Sequence, residues 1–211
     1  MDGGADARRI TIHAPEDFAA MRTAGRLAAE TLDMIVPHVR PGVSTGTLDT
    51  LCHEFITAHG AVAAPLNYRG YPKSICTSIN HVVCHGIPSE RKLENGDILN
   101  IDVTVILDGW HGDSSRMYVA GSASTRARNL MDVTYQAMMR GVGAVKPGAT
   151  LGDIGHVIQN YVRANGSAWC ATSAGTVSGG ASMSRRTCCT SAAPAKVRCC
   201  DPACSLPSSR W

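Results

Sequence analysis

Asn100-Ile101-Asp102-Val103-Thr104-Val105-Ile106-Leu107-Asp108-Gly109-Trp110-His111-Gly112-Asp113-Ser114 carries its own turn. Asp108-Gly109 is a two-residue hairpin signal, because both residues tolerate the positive φ that a tight reversal of twisted strands needs. Residues 97–105 are rich in β-branched side chains and predict a strand, and residues 110–119 predict its return partner. With the turn at 108–109, facing residues carry numbers that sum to 217. Asp113 then faces Thr104, and Asp102 lies diagonal to Asp113 on the same sheet face. Diagonal neighbours on one face are about 7–8 Å apart. Two carboxylates so placed repel unless a proton or cation intervenes, and hard or borderline divalent metals suit such oxygen donors. Two solvated aspartates on an open face would give the same spacing. Asp102 argues for the metal, because it sits within the largely apolar run Ile98-Leu99-Asn100-Ile101-Asp102-Val103.

Upstream lies a second cluster, Tyr68-Arg69-Gly70-Tyr71-Pro72-Lys73-Ser74-Ile75-Cys76 followed by Cys84-His85-Gly86-Ile87-Pro88. Its glycines and prolines flank a strand predicted over residues 74–83, which leaves His85 at a strand-to-turn junction where a side chain can reach a cleft. A lone histidine is more often structural than functional.

Further out the pattern becomes helical. Pro15, Glu16 and Asp17 make a helix start, and Met21, Ala24, Ala28, Leu32 and Ile35 recur at spacings of three and four until Pro37 and Pro41-Gly42. Val39-Arg40-Pro41-Gly42-Val43-Ser44 is echoed by Val145-Lys146-Pro147-Gly148-Ala149-Thr150, an offset of 106 that holds through Leu48/Ile154, Phe55/Tyr161, Ile56/Val162 and Gly60/Gly166. Ser44 and Thr150 stand where N-caps belong. Two amphipathic helices follow, one on Leu48, Leu51, Cys52, Phe55 and Ile56, the other on Ile154, Val157, Ile158, Tyr161 and Val162. The chain therefore reads as a duplicated unit.

The 211-residue chain has a net charge of +3 and 44% hydrophobic residues, enough for a real core. No Lys/Arg run reads as a nucleic-acid patch. Neither a secretory signal nor an apolar run of about 18 residues is present, so the cytoplasm is the expected location. Residues 1–11 read as an N-terminal extension and 12–166 as a folded domain. Residues 167–211 hold one acid (Asp201), one leucine (Leu206), no isoleucine and six of the nine cysteines. They show no helical or strand period, and the composition predicts disorder. Those cysteines lack paired CxxC spacing and a histidine, which argues against zinc.

The stretches NYRGYPKSICTSINHVVCHGIP (67–88) and GDILNIDVTVILDGWHGDSSRMY (96–118) resemble two diagnostic blocks of the type I methionine aminopeptidases. The resemblance covers residues 12–166. It implies an α/β (α+β) pita-bread fold, in which helices cover an antiparallel sheet in two pseudo-symmetric halves, with the second half incomplete here. It implies two divalent metal ions (cobalt, manganese, iron, zinc or nickel), with Asp102 ligating one and Asp113 bridging both. His85 would contact the substrate near the scissile amide, and Tyr68, Tyr71, Cys76 and Trp110 match positions around the methionine pocket. The implied reaction is removal of the initiator methionine from nascent polypeptides by a metal-activated water. The implied protein is monomeric, with the ribosome as a further partner and neither DNA nor membrane.

The family needs three more ligands, a His and two Glu. This chain has no histidine after His156, and after Asp153 its one acid is Asp201. The chain as written is therefore expected to have little or no activity. Shifted by two nucleotides, permitted codons for residues 174–179 read Gly-His-Gly-Ile-Gly, and those for 201–211 read Pro-Gly-Met-Phe-Phe-Thr-Ile-Glu-Pro-Met. These match the missing family blocks in order, so a frameshift near Gly166 is expected. The alternatives are a non-catalytic binding protein of the same fold, or a related dipeptidase or proline-specific peptidase. The Cys84-His85-Gly86-Ile87-Pro88 block speaks against the latter.

Overall fold

Why the hairpin becomes the centre of the fold follows from its two faces. In the computed structural model, which describes residues 13–166, β3 (Ile98–Leu107) and β4 (Trp110–Val119) pair antiparallel along their whole length. Thr104 faces Asp113, and Leu107 faces Trp110. The register expected from Asp108-Gly109 is the register observed. Leu99, Ile101, Val103 and Val105 of β3 are fully buried on one face, and Asn100, Asp102 and Thr104 alternate onto the other. The short strands β1 (Val62–Ala63) and β2 (Cys76–Ile79) share the second edge of β3, at residues 105–106 and 99–102.

Two helices cover the apolar face. α1 (Pro15–Met34) starts where expected, with the Asp17 carboxylate accepting the Ala14 N–H at 3.0 Å. It buries Ala24, Leu27, Ala28, Thr31 and Leu32. α2 (Thr45–Ala58) buries Leu48, Cys52 and Ile56, each 0% exposed. Gly112 on β4 lets α1 come close: a Cβ there would sit 2.2 Å from the Ala24 carbonyl oxygen. The Tyr118 hydroxyl donates to the Leu32 carbonyl at 2.6 Å and fastens the other end of β4 to the same helix.

The duplication is literal. α4 (Leu151–Ala164) occupies the bounds of α2 shifted by 106. Ser44 accepts from Thr47 N at 3.1 Å, and Thr150 from Asp153 N at 3.2 Å. Gly60 and Gly166 close the two units in the left-handed region, at φ 73° and 67°. α4 packs on α3 (Thr125–Gly143) through a small cluster of Val133, Ala137 and Val162, flanked by Ile158 and Tyr161.

Two readings need correction. The strand expected over 74–83 ends at Ile79, because Asn80 turns to φ 52° and the Val82 N–H closes back on the Ile79 carbonyl. β3 starts one residue later than expected and ends two later, carrying the ladder into the turn. The expectations for residues 1–11 and 167–211, the frameshift included, lie outside the described residues. Among the described residues, no helix is long and apolar enough to cross a membrane.

Candidate metal centre

The face of the sheet turned away from α1 and α2 carries the polar residues. Asp102 and Asp113 sit on adjacent strands, one row apart on this face. Asp102 is half-buried and Asp113 exposed. Burial, the Asp113 charge and a hydrogen bond shared with Asp113 push Asp102 up to about 7. Such a shift is what two crowded carboxyls do when a proton is their one remedy. A divalent cation in the place of that proton would relieve both the repulsion and the desolvation, so the pair fits the metal its chemistry suggests. The described residues offer two candidate ligands, Asp102 and Asp113. Among the described residues, no group of three or more His, Cys, Asp or Glu side chains converges on one point.

β2 brings a second wall. Cys76 is the direct partner of Asp102 across the β2–β3 ladder. Burial raises the Cys76 thiol, the Tyr71 hydroxyl pulls it the other way, and Asp102, Cys84 and Asp113 add to the rise. The Tyr71 hydroxyl lies within donating reach of two carbonyls, Ile75 at 3.0 Å and Gly86 at 3.2 Å. Burial holds that phenol protonated, and its hydrogen bond with Cys76 and the charges of Cys76, Asp49 and Asp102 reinforce this. Tyr71, Cys76, Asp102 and Asp113 are therefore one neighbourhood. His85 joins it through the backbone: it takes φ 54° directly before Gly86, whose carbonyl also accepts from Thr77 N at 2.8 Å.

The other two expected pocket residues, Tyr68 and Trp110, stand in a 3-10 turn and on β4. Tyr68 sits in a single 3-10 turn (Tyr68–Gly70), 47% exposed, with the Arg69 guanidinium 5.6 Å from its ring centre. Trp110 pairs with Leu107, three rows beyond Asp113's partner Thr104 and therefore on the alternate face. Its ring meets His13 edge-on at 5.3 Å. Strand parity separates it from the carboxylates. Asp49 was not singled out from the sequence, yet it is 7% exposed and accepts from the Ser74 and Ile75 N–H groups. A buried acid inside an amphipathic helix was its one signal. His111, on the carboxylate face, has a buried Nδ1 with no partner among the described residues.

Comparison with known proteins agrees with this architecture. The model of metallopeptidase family M24 matches residues 19–189. Methionine aminopeptidase of Rickettsia prowazekii (strain Madrid E) is 64% identical over 152 residues, covering 72% of this chain and 59% of that protein. The Escherichia coli (strain K12) methionine aminopeptidase is 53% identical over 159 residues, covering 74% and 60%. The chain thus spans about three-fifths of the length of the curated relatives it matches. The crystal structure of the Rickettsia prowazekii methionine aminopeptidase superposes with a TM-score of 0.77 at 57% identity, covering 81% of this chain and 69% of that one. That of Thermotoga maritima gives 0.71 at 31% identity, covering 74% and 63%. Xaa-Pro dipeptidase of Bacillus anthracis, at 22% identity and TM-score 0.66, shares the fold. With the pita-bread architecture in its described residues and a family match over most of its length, the chain belongs to metallopeptidase family M24.

Proposed function

We propose that residues 12–166 carry the N-terminal part of a methionine aminopeptidase: one wall of a two-metal site and one side of its substrate pocket. The observation that carries this reading is the pair Asp102 and Asp113, diagonal on one sheet face with Cys76 directly across from Asp102. Asp102 and Asp113 hold divalent metal. The chemistry that metal supplies when bound is activation of water and stabilisation of the oxyanion of peptide hydrolysis. Cys76 and Tyr71 line the pocket for the methionine side chain, and His85 meets the substrate near the scissile amide. Tyr68 and Trp110 belong to the margin of the same pocket, Trp110 from the alternate face of β4. The substrate of such an enzyme is the N-terminal methionine of nascent polypeptides met at the ribosome, and its setting is the cytoplasm, as a monomer.

With two ligands in residues 13–166 and no glutamate after Glu94 to serve as general base, the 211-residue chain turns over little by itself. Two measurements on the full chain test this. Equilibrium dialysis with Co²⁺ or Mn²⁺ should show binding that Asp102→Asn and Asp113→Asn each weaken by tenfold or more, on the order of one lost charged ligand. Unchanged binding in both variants would sink the metal assignment. Methionine release from a Met-Ala-Ser peptide in added Co²⁺ should stay near background. Turnover at about 1 s⁻¹ or faster, an ordinary enzyme rate, would overturn the half-site reading.

A further inference from the structure

α2 has a polar stripe as well as an apolar one. Thr45, Asp49 and His53 recur every four residues and so share one helix face. Each grips the segment that carries the pocket residues. The Thr45 hydroxyl donates to the Ser89 carbonyl at 3.1 Å and accepts the Ser89 N–H at 2.9 Å. Asp49 Oδ1 accepts the Ser74 and Ile75 N–H groups at 2.8 and 3.1 Å, while Lys73 Nζ lies 3.7 Å from Oδ2. His53 Nδ1 meets the Ser74 hydroxyl at 2.8 Å. The stripe thus holds both ends of residues 74–89, the stretch containing Cys76, Cys84 and His85.

The duplication shows that the helix itself does not call for these residues. Their counterparts in α4, at the same offset of 106, are Leu151, Gly155 and Gln159. α4 keeps the cap, the apolar positions and the closing glycine, and among the described residues it makes no such clamp. A buried carboxylate is costly unless paired and hydrogen-bonded, so Asp49 has its reason outside the helix. We infer that the Thr45–Asp49–His53 stripe is a positioning device for the substrate-binding segment. Asp49 sets the register of residues 74–76 against β3, keeping Cys76 opposite Asp102 and the Tyr71 hydroxyl on the Gly86 carbonyl beside His85. This rests on the substrate-binding reading of that segment given above.

The test uses the full chain with chelator and reads two local signals. The first is the rate of iodoacetamide alkylation at Cys76, which is 8% exposed, with fully buried Cys52 as internal control. The second is the His85 ring resonance in proton–carbon NMR spectra. Asp49→Ala should raise Cys76 alkylation about tenfold through local opening, with Cys52 unchanged, and should shift the His85 signal. Asp49→Asn, whose amide oxygen still accepts both N–H groups, should return both signals close to those of the unaltered chain. Unaltered Cys76 and His85 signals in Asp49→Ala would overturn the proposal. So would Cys52 and Cys76 rising together, which marks a merely structural role. Should Asp49→Ala not fold, His53→Ala at an exposed position carries the same reading: a several-fold rise at Cys76 alone supports the device, and no rise overturns it. Neither readout depends on metal or turnover, so this proposal can fail while the peptidase reading stands, and the reverse.

Discussion

α2 and α4 are the same helix written twice, and they end up in different circumstances. Both are 14 residues long, both begin after a hydroxyl cap and both end before a glycine in the left-handed region. α2 buries Leu48, Cys52 and Ile56 completely against the sheet. α4 buries Gly155, Gln159 and Val162, and its partner α3 shows a stripe of Tyr135, Met138, Met139 and Val142 at 46–60% exposure. Caps and period act within a turn or two and make the helix. Burial depends on what is laid against it, and among the described residues four strands lie in the first unit and none in the second.

The largest expected effect contrasts the matched core positions. Leu48→Ala should cost about 2–5 kcal/mol of stability, because it leaves a cavity in a closed core. Ile154→Ala, its counterpart, should cost about 1 kcal/mol, since that side chain is half-exposed already. Equal shifts in urea midpoint would show that the second helix pair is packed as tightly as the first. Next come two glycines. Gly112→Ala drives a methyl into the Ala24 backbone and should cost about 1–3 kcal/mol or more. At Gly141 the nearest obstacle is the Ile158 Cδ1, the mobile end of a side chain. Better helix propensity there offsets the crowding, and Gly141→Ala should be close to neutral in thermal melts.

The caps give a smaller contrast. Ser44→Ala and Thr150→Ala should each cost their own helix about 1 kcal/mol. Hydrogen exchange should show the Ser44 loss spread through the sheet and the Thr150 loss confined to α4. Exchange that spreads equally from both would erase the distinction.

pH should move the two units in opposite directions. In the metal-free chain Asp102 titrates at about 7, above its ordinary 3.8. Its stabilising proton is fully present below about pH 4 and lost as pH rises to 7, so the sheet unit weakens over that window. Asp102→Asn should flatten the slope. Asp153, in the α4 capping box, is lowered by hydrogen bonds from the Thr150 backbone N–H and hydroxyl. Its contribution is present above 3.8 and fades on further acidification, so the protection of α4 amides, relative to their intrinsic exchange rates, should fall there. A common direction for both units would contradict this assignment of charges.

What was legible in the sequence follows the same division. The β3–β4 register could be read because Asp108-Gly109 fixes it locally. The caps at Ser44 and Thr150 could be read for the same reason. α3 was not, because its buried side is built from Val133, Ala137 and Gly141, small residues with little hydrophobic contrast. Asp102 and Asp113 emerged from counting across a turn. The Asp49 clamp did not, since its bonds span 25 and 26 residues. The expectation that Trp110 lies by the pocket came from resemblance, while its strand parity, which sets it on the other face, could have been counted.

The carboxylate pair also has a place in time. Asp102 and Asp113 are joined by a ten-residue stretch of hairpin, and isolated hairpins close in about 1–10 µs. Cys76, which completes the row, lies 26 residues before its partner Asp102, and longer loops close more slowly and at greater entropic cost. On a chain emerging from synthesis, the two acids would meet first and the pocket wall would dock onto them afterwards. The carboxylate pair would then be an early product of folding, closed before the second helix pair has been made.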